Sequence, residues 1–171
     1  IREEGHSVKV LVTGGCGYIG STICSALADG SHQPVVLDSL IRGRGEFARD
    51  FPFYWGDIAD GFLLERVFRD HRDIEAAIHC AALTVIPESV EKPLEYYTGN
   101  VVKSLSFLKQ LVHLGCPRVV FSSSASVYAQ TPDFRVGESA SVEPVSPYAR
   151  TKLATEMMIR DICAASPLRS L

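Results

Sequence analysis

Residues 10–20 read VLVTGGCGYIG, so an apolar run passes directly into the glycines Gly14, Gly17 and Gly20. The run at 8–12 is typical of a buried strand, and the residues after the glycines have a helical period. Glycine permits a tight turn and a close approach of backbone to a ligand, and the first N–H groups of a helix favour negative charge. The segment therefore predicts a strand, a turn and a helix N-terminus that together bind a phosphate group.

A second apolar run, at 33–38, ends in an acidic residue. Asp38 lies about 20 residues beyond the glycines, where a dinucleotide site needs a carboxylate for the adenosine ribose hydroxyls. A carboxylate there also repels a 2′-phosphate, so it favours NAD over NADP, although Arg42 and Arg44 follow closely and weaken that preference. No Gly-Lys-Ser/Thr follows the glycine turn, which argues against a Walker phosphate loop.

Predicted strands and helices alternate along the chain. Strands are predicted at 7–13, 33–38, 52–55, 76–80 and 118–122 and from 168 onward, and helices at 17–29, 93–114 and 146–165, with one more capped by Asp57 or Asp60. The inner faces are predicted to carry Phe62, Leu63, Val67 and Phe68 in that capped helix, and Leu105, Leu108, Leu111 and Val112 in the long one. Continuously apolar strands separated by helices predict a doubly wound α/β parallel sheet, whose ligands lie at the carboxyl ends of the strands.

Composition limits the classes of protein. The chain has 171 residues, 46% hydrophobic and 22% charged, which suits one globular domain over 1–171. The formal net charge of -3 argues against nucleic acid as a partner. No apolar run approaches the ~20 residues that cross a bilayer, so no membrane partner is expected. Five widely spaced cysteines without CxxC favour a reducing, cytoplasmic compartment and no metal site.

Candidate catalytic groups lie near the fifth strand and on the last helix. Tyr148 and Lys152 are four residues apart on a predicted helix and share a face. The lysine ammonium favours the phenolate form, so the pair can take a proton from an alcohol while hydride leaves the carbon. Ser124 can share a proton with the same oxygen, and no GxSxG surrounds it to indicate a serine hydrolase. The alternatives are a solvated helix face and serines that only satisfy backbone groups.

Seven segments together resemble the extended short-chain dehydrogenase/reductase superfamily and, within it, the UDP-glucose 4-epimerase family. They are TGGCGYIGS (13–21), VVLDSL (35–40), GDIAD (56–60), HCAAL (79–83), ESVEKPLEYYTGNV (88–101), FSSSASVY (121–128) and SPYARTK (146–152). The segments cover nearly the whole chain in the right order, and the fifth and sixth are more specific than the glycine turn.

The resemblance implies a Rossmann-type NAD-binding domain with NAD as a prosthetic group. The cofactor-binding residues that it implies are Gly14, Gly17, Tyr18, Ile19 and Gly20 at the pyrophosphate, Asp38 and Ser39 at the adenosine ribose, Asp57 and Ile58 at the adenine, and Cys80, Ala81, Ala82, Asn100 and Ser122 along the channel. The implied catalytic residues are Ser124, Tyr148 and Lys152, of which the last two also contact the cofactor.

The implied reaction is epimerisation at C4 of a UDP-hexose, UDP-galactose or UDP-glucose, through a 4-keto sugar. Hydride passes from C4 to NAD while Tyr148 takes the hydroxyl proton, and the hydride returns to the other face. Family members continue into a lobe that grips the UDP-sugar, so this chain is expected to stop before that C-terminal substrate lobe. A homodimer is an option that the resemblance alone raises.

Two alternatives remain. One is another nucleotide-sugar enzyme of the superfamily, such as a dehydratase, although residues 122–124 lack the acid pair that elimination of water needs. The other is a catalytically inert NAD-binding fragment. Thr84 stands where the epimerases carry a lysine, which leaves the sugar open.

Overall fold

The computed structural model describes residues 7–129 and 135–170. Their six strands form one parallel sheet in the order β3-β2-β1-β4-β5-β6, which confirms the predicted doubly wound α/β class. The strands are β1 (Lys9–Thr13), β2 (Gln33–Asp38), β3 (Phe53–Trp55), β4 (Ile74–His79), β5 (Arg118–Phe121) and β6 (Arg169–Ser170). The α-helices are α1 (Tyr18–Asp29), α2 (Gly61–Asp70), α3 (Ile86–Glu91), α4 (Pro93–Tyr97), α5 (Lys103–His113) and α6 (Pro147–Ala165).

The sheet is buried on both faces because successive side chains of a strand point to opposite sides. In β1, Leu11 joins a core with residues of α2, α5 and α6, such as Leu64 and Phe107. Val10 and Val12 join a separate core on the side of α1. β1 is therefore packed on both faces, and this packing holds its carboxyl end in a fixed position beside the ligand site.

The strand order reverses beside β1, and this reversal positions the site. β1 pairs with β2 on one side and with β4 on the other, so Thr13 lies opposite both Leu37 and His79. A crevice opens at such a switch point, beyond the carboxyl ends of the strands. The ends of β1, β2 and β4 therefore face the same space.

Two features of the helices differ from the predictions. The helix predicted at 93–114 is α4 and α5 joined by a π-helical turn, Thr98–Val102, and it is preceded by α3, which was not predicted. A π turn has more residues per turn than an α-helix. A buried face that is predicted by counting α-helical spacing across the π turn is therefore rotated away from the true one. Leu105 is accordingly 46% exposed, whereas Leu108 and Leu111 are buried.

The predicted inner face of α2 is also partly wrong. Phe62 is 86% exposed, and Leu64 and Val67 are the buried residues. Asp60 caps this helix through a bond from the Leu63 N–H (3.1 Å), which sets where the helix begins and hence which side meets the sheet. Within the described ranges, no helix combines the length and the apolar character that crossing a bilayer requires.

Candidate functional site

The glycine turn after β1 is so tight that side chains are excluded from it. Gly14 has φ +70°, and a Cβ there would lie 2.7 Å from the backbone nitrogen of Ala81. A Cβ on Gly20 would overlap the carbonyl oxygen of Gly14. Gly17 precedes α1 and caps it without a side-chain hydrogen bond, so the first N–H groups of α1 face the turn as donors for an anion.

Asp38 ends β2 with a carboxylate that is held in place by backbone. Oδ2 accepts from the Cys16 N–H at 2.9 Å, and Oδ1 accepts from the Leu40 N–H at 2.8 Å. The side chain is buried beside the glycine turn, and the backbone of Gly43 packs against it, since a Cβ there would lie 2.9 Å from Oδ1. Each oxygen keeps a lone pair for a further donor, as the hydroxyls of a ribose require.

These two features border a cleft of about 850 Å³ at the carboxyl ends of the strands. Most of the predicted cofactor-binding residues line this cleft: Gly14, Gly17, Tyr18, Ile19, Gly20, Asp38, Ser39, Asp57, Ile58, Cys80, Ala81, Ala82 and Tyr148. They come from segments far apart in the chain, which the parallel sheet brings to one edge. The residues that do not line it are Asn100, Ser122, Ser124 and Lys152.

Asn100 lies behind the cleft wall and holds its backbone. It is buried in the π-helical turn, where Oδ1 accepts from the Leu83 N–H at 2.8 Å and Nδ2 donates to the Leu83 carbonyl at 2.9 Å. Nδ2 also lies 3.1 Å from Thr151 Oγ1 on α6. Asn100 therefore fixes the segment after β4, whose residues form one wall.

Tyr148 and Lys152 are both buried on α6, and Tyr148 lines the cleft. Tyr148 is 8% exposed, and Lys152, one turn further along, is 3% exposed. The Lys152 ammonium donates to the Ser122 carbonyl at 2.8 Å and lies 4.8 Å from the Phe121 ring centroid. Burial lowers the pKa of Lys152 to about 8, an effect that Cys80 partly offsets.

Ser124 caps a short 3-10 turn after β5. Its Oγ lies 2.8 Å from Ser126 Oγ and accepts from the Ser126 N–H at 3.2 Å. The preceding Ser123 hydroxyl instead bonds to Glu156 on α6. The three serines thus have different partners: the Ser122 carbonyl contacts Lys152, the Ser123 hydroxyl contacts Glu156, and the Ser124 hydroxyl contacts Ser126.

A buried polar network lies beneath the turn. His79 is fully buried, with Nδ1 2.7 Å from Thr13 Oγ1 and Nε2 2.9 Å from Ser104 Oγ. Burial lowers the pKa of His79 to about 3, with a smaller contribution from the Lys152 charge. The imidazole is therefore neutral at pH 7 and connects β1, β4 and α5.

Sequence reasoning missed two ion pairs at the cleft. Arg42 lines the cleft and donates from Nη2 to both carboxylate oxygens of Glu88, at 2.9 and 2.7 Å. Lys103 also lines it and pairs with Asp57. No sequence signal links these partners, although Arg42 was noted for its position after Asp38.

The arrangement fits a dinucleotide. The turn that excludes Cβ atoms, the helix N-terminus and the anchored carboxylate match a pyrophosphate and a ribose. Among the described residues, no group of three or more His, Cys, Asp or Glu side chains has the geometry of a metal site. The fold and the cleft therefore define a dinucleotide-binding α/β domain.

The sequence profile of the NAD dependent epimerase/dehydratase family matches residues 10–170. The chain belongs to this family. It is 46% identical over 170 residues to a UDP-glucose 4-epimerase of Azospirillum brasilense, and 41% identical over 151 residues to one of Halalkalibacterium halodurans. These matches cover 99% and 88% of this chain but 49% and 45% of the relatives, so the chain spans about half the length of the curated relatives it matches.

Solved structures agree with this assignment. The UDP-glucose 4-epimerase from Brucella ovis in complex with NAD is similar with a TM-score of 0.90 at 37% identity, over 96% of this chain and 50% of that one. The Thermotoga maritima UDP-glucose 4-epimerase with UDP-glucose has a TM-score of 0.86 at 31% identity, over 95% and 53% of the two chains.

Proposed function

We propose that this chain is the NAD-binding part of a UDP-hexose 4-epimerase that interconverts UDP-galactose and UDP-glucose through a 4-keto sugar. The observation that carries the proposal is that Asp38 and Tyr148 line one and the same cleft. The names of the curated relatives, the NAD in the Brucella ovis structure and the UDP-glucose in the Thermotoga maritima structure support it.

The binding residues follow from the cleft. Gly14, Gly17 and the start of α1 would hold the pyrophosphate, because their backbone N–H groups favour negative charge. Asp38 and Ser39 would bind the adenosine ribose, while Asp57 and Ile58 would flank the adenine, with residues 80–82 along the channel. Asn100 would act indirectly, since its side chain holds the Leu83 backbone rather than reaching the cleft.

When bound, NAD would accept hydride from C4 of the sugar and return it to the opposite face. Tyr148, whose side chain lines the cleft, would take the proton of the C4 hydroxyl and give it back. The Lys152 ammonium would stabilise negative charge on the Tyr148 phenol oxygen. Ser124 would share the proton of the C4 hydroxyl. Ser122 would act through its carbonyl, which orients the Lys152 ammonium.

A homodimer and a cytoplasmic location are part of the same proposal. The location rests on the five cysteines, all of which are free. The homodimer rests on the family resemblance alone. A dehydratase is the weaker alternative, because the hydroxyl at 123 has Glu156 as its partner and residues 122–124 supply no acid pair.

Calorimetric titration of the purified chain with NAD and, separately, NADP tests the cofactor site. We expect binding of NAD, weaker binding of NADP, and NAD binding that is about 10- to 150-fold weaker in Asp38→Asn, since hydrogen bonds to a charged group contribute about 1.5–3 kcal/mol. Asp50→Asn, which removes an exposed carboxylate outside the cleft, is the matched control. A folded chain that binds neither dinucleotide would overturn the proposal.

Conversion of UDP-galactose to UDP-glucose tests the reaction. Conversion by the NAD-loaded chain supports the epimerase. NAD binding with no conversion of any UDP-hexose supports instead the reading of an inert NAD-binding fragment.

A further inference from the structure

Both cationic side chains that line the described cleft, Arg42 and Lys103, are already paired with carboxylates. Arg42 follows β2 and pairs with Glu88 on α3, which follows β4. Lys103 on α5 pairs with Asp57, which follows β3. Each pair therefore joins the β1–β3 half of the sheet to the half that begins with β4, across the crevice where the strand order reverses.

Arg42 is the cation placed closest along the chain to the anchored carboxylate of Asp38. The next residue, Gly43, packs against that carboxylate, since a Cβ there would lie 2.9 Å from Oδ1 and 3.1 Å from Oδ2. An arginine at this place is the group that accommodates a 2′-phosphate in NADP-binding sites. Asp38 repels such a phosphate, and a free guanidinium beside it would offset the repulsion.

Nη2 of the Arg42 guanidinium donates to both carboxylate oxygens of Glu88, and Glu88 is itself held in place. Tyr96 is fully buried, and its hydroxyl lies 2.9 Å from Glu88 Oε2. The same hydroxyl accepts from the Val85 N–H at 3.0 Å and lies 2.8 Å from the Val85 carbonyl, so it is fixed at the start of α3. The Tyr96 hydroxyl thus orients the Glu88 carboxylate that Arg42 contacts.

We propose that Glu88 is a specificity-determining residue for the dinucleotide: by pairing with Arg42, it denies a 2′-phosphate the counter-charge that this arginine would supply. This inference rests on the proposed NAD site and adds to it a residue of α3 that pairs with the cleft-lining Arg42. The preference for NAD over NADP then comes from two carboxylates, of which Asp38 repels the phosphate and Glu88 sequesters the arginine.

The test compares NAD and NADP dissociation constants by calorimetry in the wild type and in Glu88→Gln. Glutamine keeps an acceptor for the Tyr96 hydroxyl but loses the charge, so Arg42 becomes available. An exposed ion pair contributes little free energy, so the gain from freeing Arg42 is modest. We expect the ratio of NADP affinity to NAD affinity to be roughly 3- to 10-fold higher in Glu88→Gln than in the wild type. NAD binding by the variant reports that it is folded.

Three further variants isolate the arginine. Arg42→Gln alone is expected to leave the NADP-to-NAD ratio within about twofold of wild type, because Arg42 is already engaged. The double variant E88Q/R42Q is expected to lose the gain. Glu91→Gln removes the same charge from the same helix at an exposed position outside the cleft lining, and is expected to change nothing.

The proposal is overturned if E88Q leaves the ratio unchanged, if the gain persists in E88Q/R42Q, if E91Q gives the same gain, or if R42Q alone weakens NADP several-fold. Any of these results with intact NAD binding in the wild type leaves the proposed function standing. Absence of NAD binding in the folded wild type overturns both.

Discussion

The ammonium nitrogen of Lys152 lies 5.9 Å from the centre of the Tyr148 ring, one turn along the same helix. The tyrosine lines the cleft while the lysine is buried and anchored to the Ser122 carbonyl. Under the proposed function, the two residues would divide the work of a proton transfer. The tyrosine would meet the substrate, and the lysine would supply a positive charge held in place.

Tyr148→Phe removes the proton acceptor and keeps the ring. We expect UDP-hexose epimerisation to fall by 10²- to 10⁴-fold, the usual contribution of a general acid–base, with little change in NAD affinity. Tyr97→Phe, which deletes a hydroxyl outside the cleft lining, should keep the wild-type rate. Wild-type turnover by Y148F, measured as conversion of UDP-galactose, would contradict the assignment.

Lys152→Met should reveal the cost of burying a charge. The pKa of Lys152 is about 8 in the folded chain, against 10.5 in the unfolded chain, so between these values the unfolded state binds more protons and the wild type gains stability as pH rises. The gain is on the order of 3 kcal/mol and should be absent from K152M. Urea unfolding of both proteins from pH 7 to about pH 10 measures it, and parallel curves would rule the effect out.

Gly20→Ala should break the phosphate turn. The added methyl would meet backbone atoms of Gly14, with the carbonyl carbon at 2.8 Å, and backbone cannot move aside as a flexible side chain can. We expect a loss of about 1–3 kcal/mol in the free energy of unfolding, together with loss of NAD binding. Gly137→Ala adds the same methyl into open space and should be neutral. Unchanged NAD affinity in G20A would show that the turn is not the pyrophosphate site.

His79→Gln should change the stability of the chain in acid. The pKa of His79 is lowered from 6.5 to about 3 by burial, so the stability it contributes is complete above pH 6.5 and is lost as pH falls toward 3. Each unit in this window costs up to about 1.4 kcal/mol in the wild type. The difference in free energy of unfolding between wild type and H79Q should shrink on acidification. His113→Gln, at an exposed position on α5, should track the wild type instead, and a constant difference for H79Q would refute the prediction.

The fold class and much of the cleft lining were predictable because their signals are local. The apolar run before Gly14 and the acidic end of β2 can each be recognised from a few neighbouring residues. The parallel sheet then requires that such strand ends share one edge. The faces of helices were less predictable, since Phe62 and Leu105 depend on where a cap or a π turn sets the phase.

The roles of single side chains needed contacts that no local pattern contains. Asn100 resembled a cofactor ligand in sequence, yet its amide is used to hold the Leu83 backbone. Lys152 shares a face with Tyr148 as its spacing predicts, but its burial and its bond to the Ser122 carbonyl come from the packing of α6 against β5. The catalytic assignments of Ser124, Tyr148 and Lys152 stay predictions.

Residues 10–38 were enough to predict a phosphate turn and a ribose carboxylate, and the alternation of apolar strands with helices along the chain predicted a parallel α/β sheet, because backbone sterics and hydrophobic period act over a few residues. The Arg42–Glu88 pair joins residues 46 apart in the chain, and the His79–Thr13 contact joins residues 66 apart. Such pairs exist only after the sheet has brought its strand ends together. Which charged groups pair, and which polar groups are buried, is decided by that packing. The electrostatics of the cleft could therefore be described only from the tertiary structure.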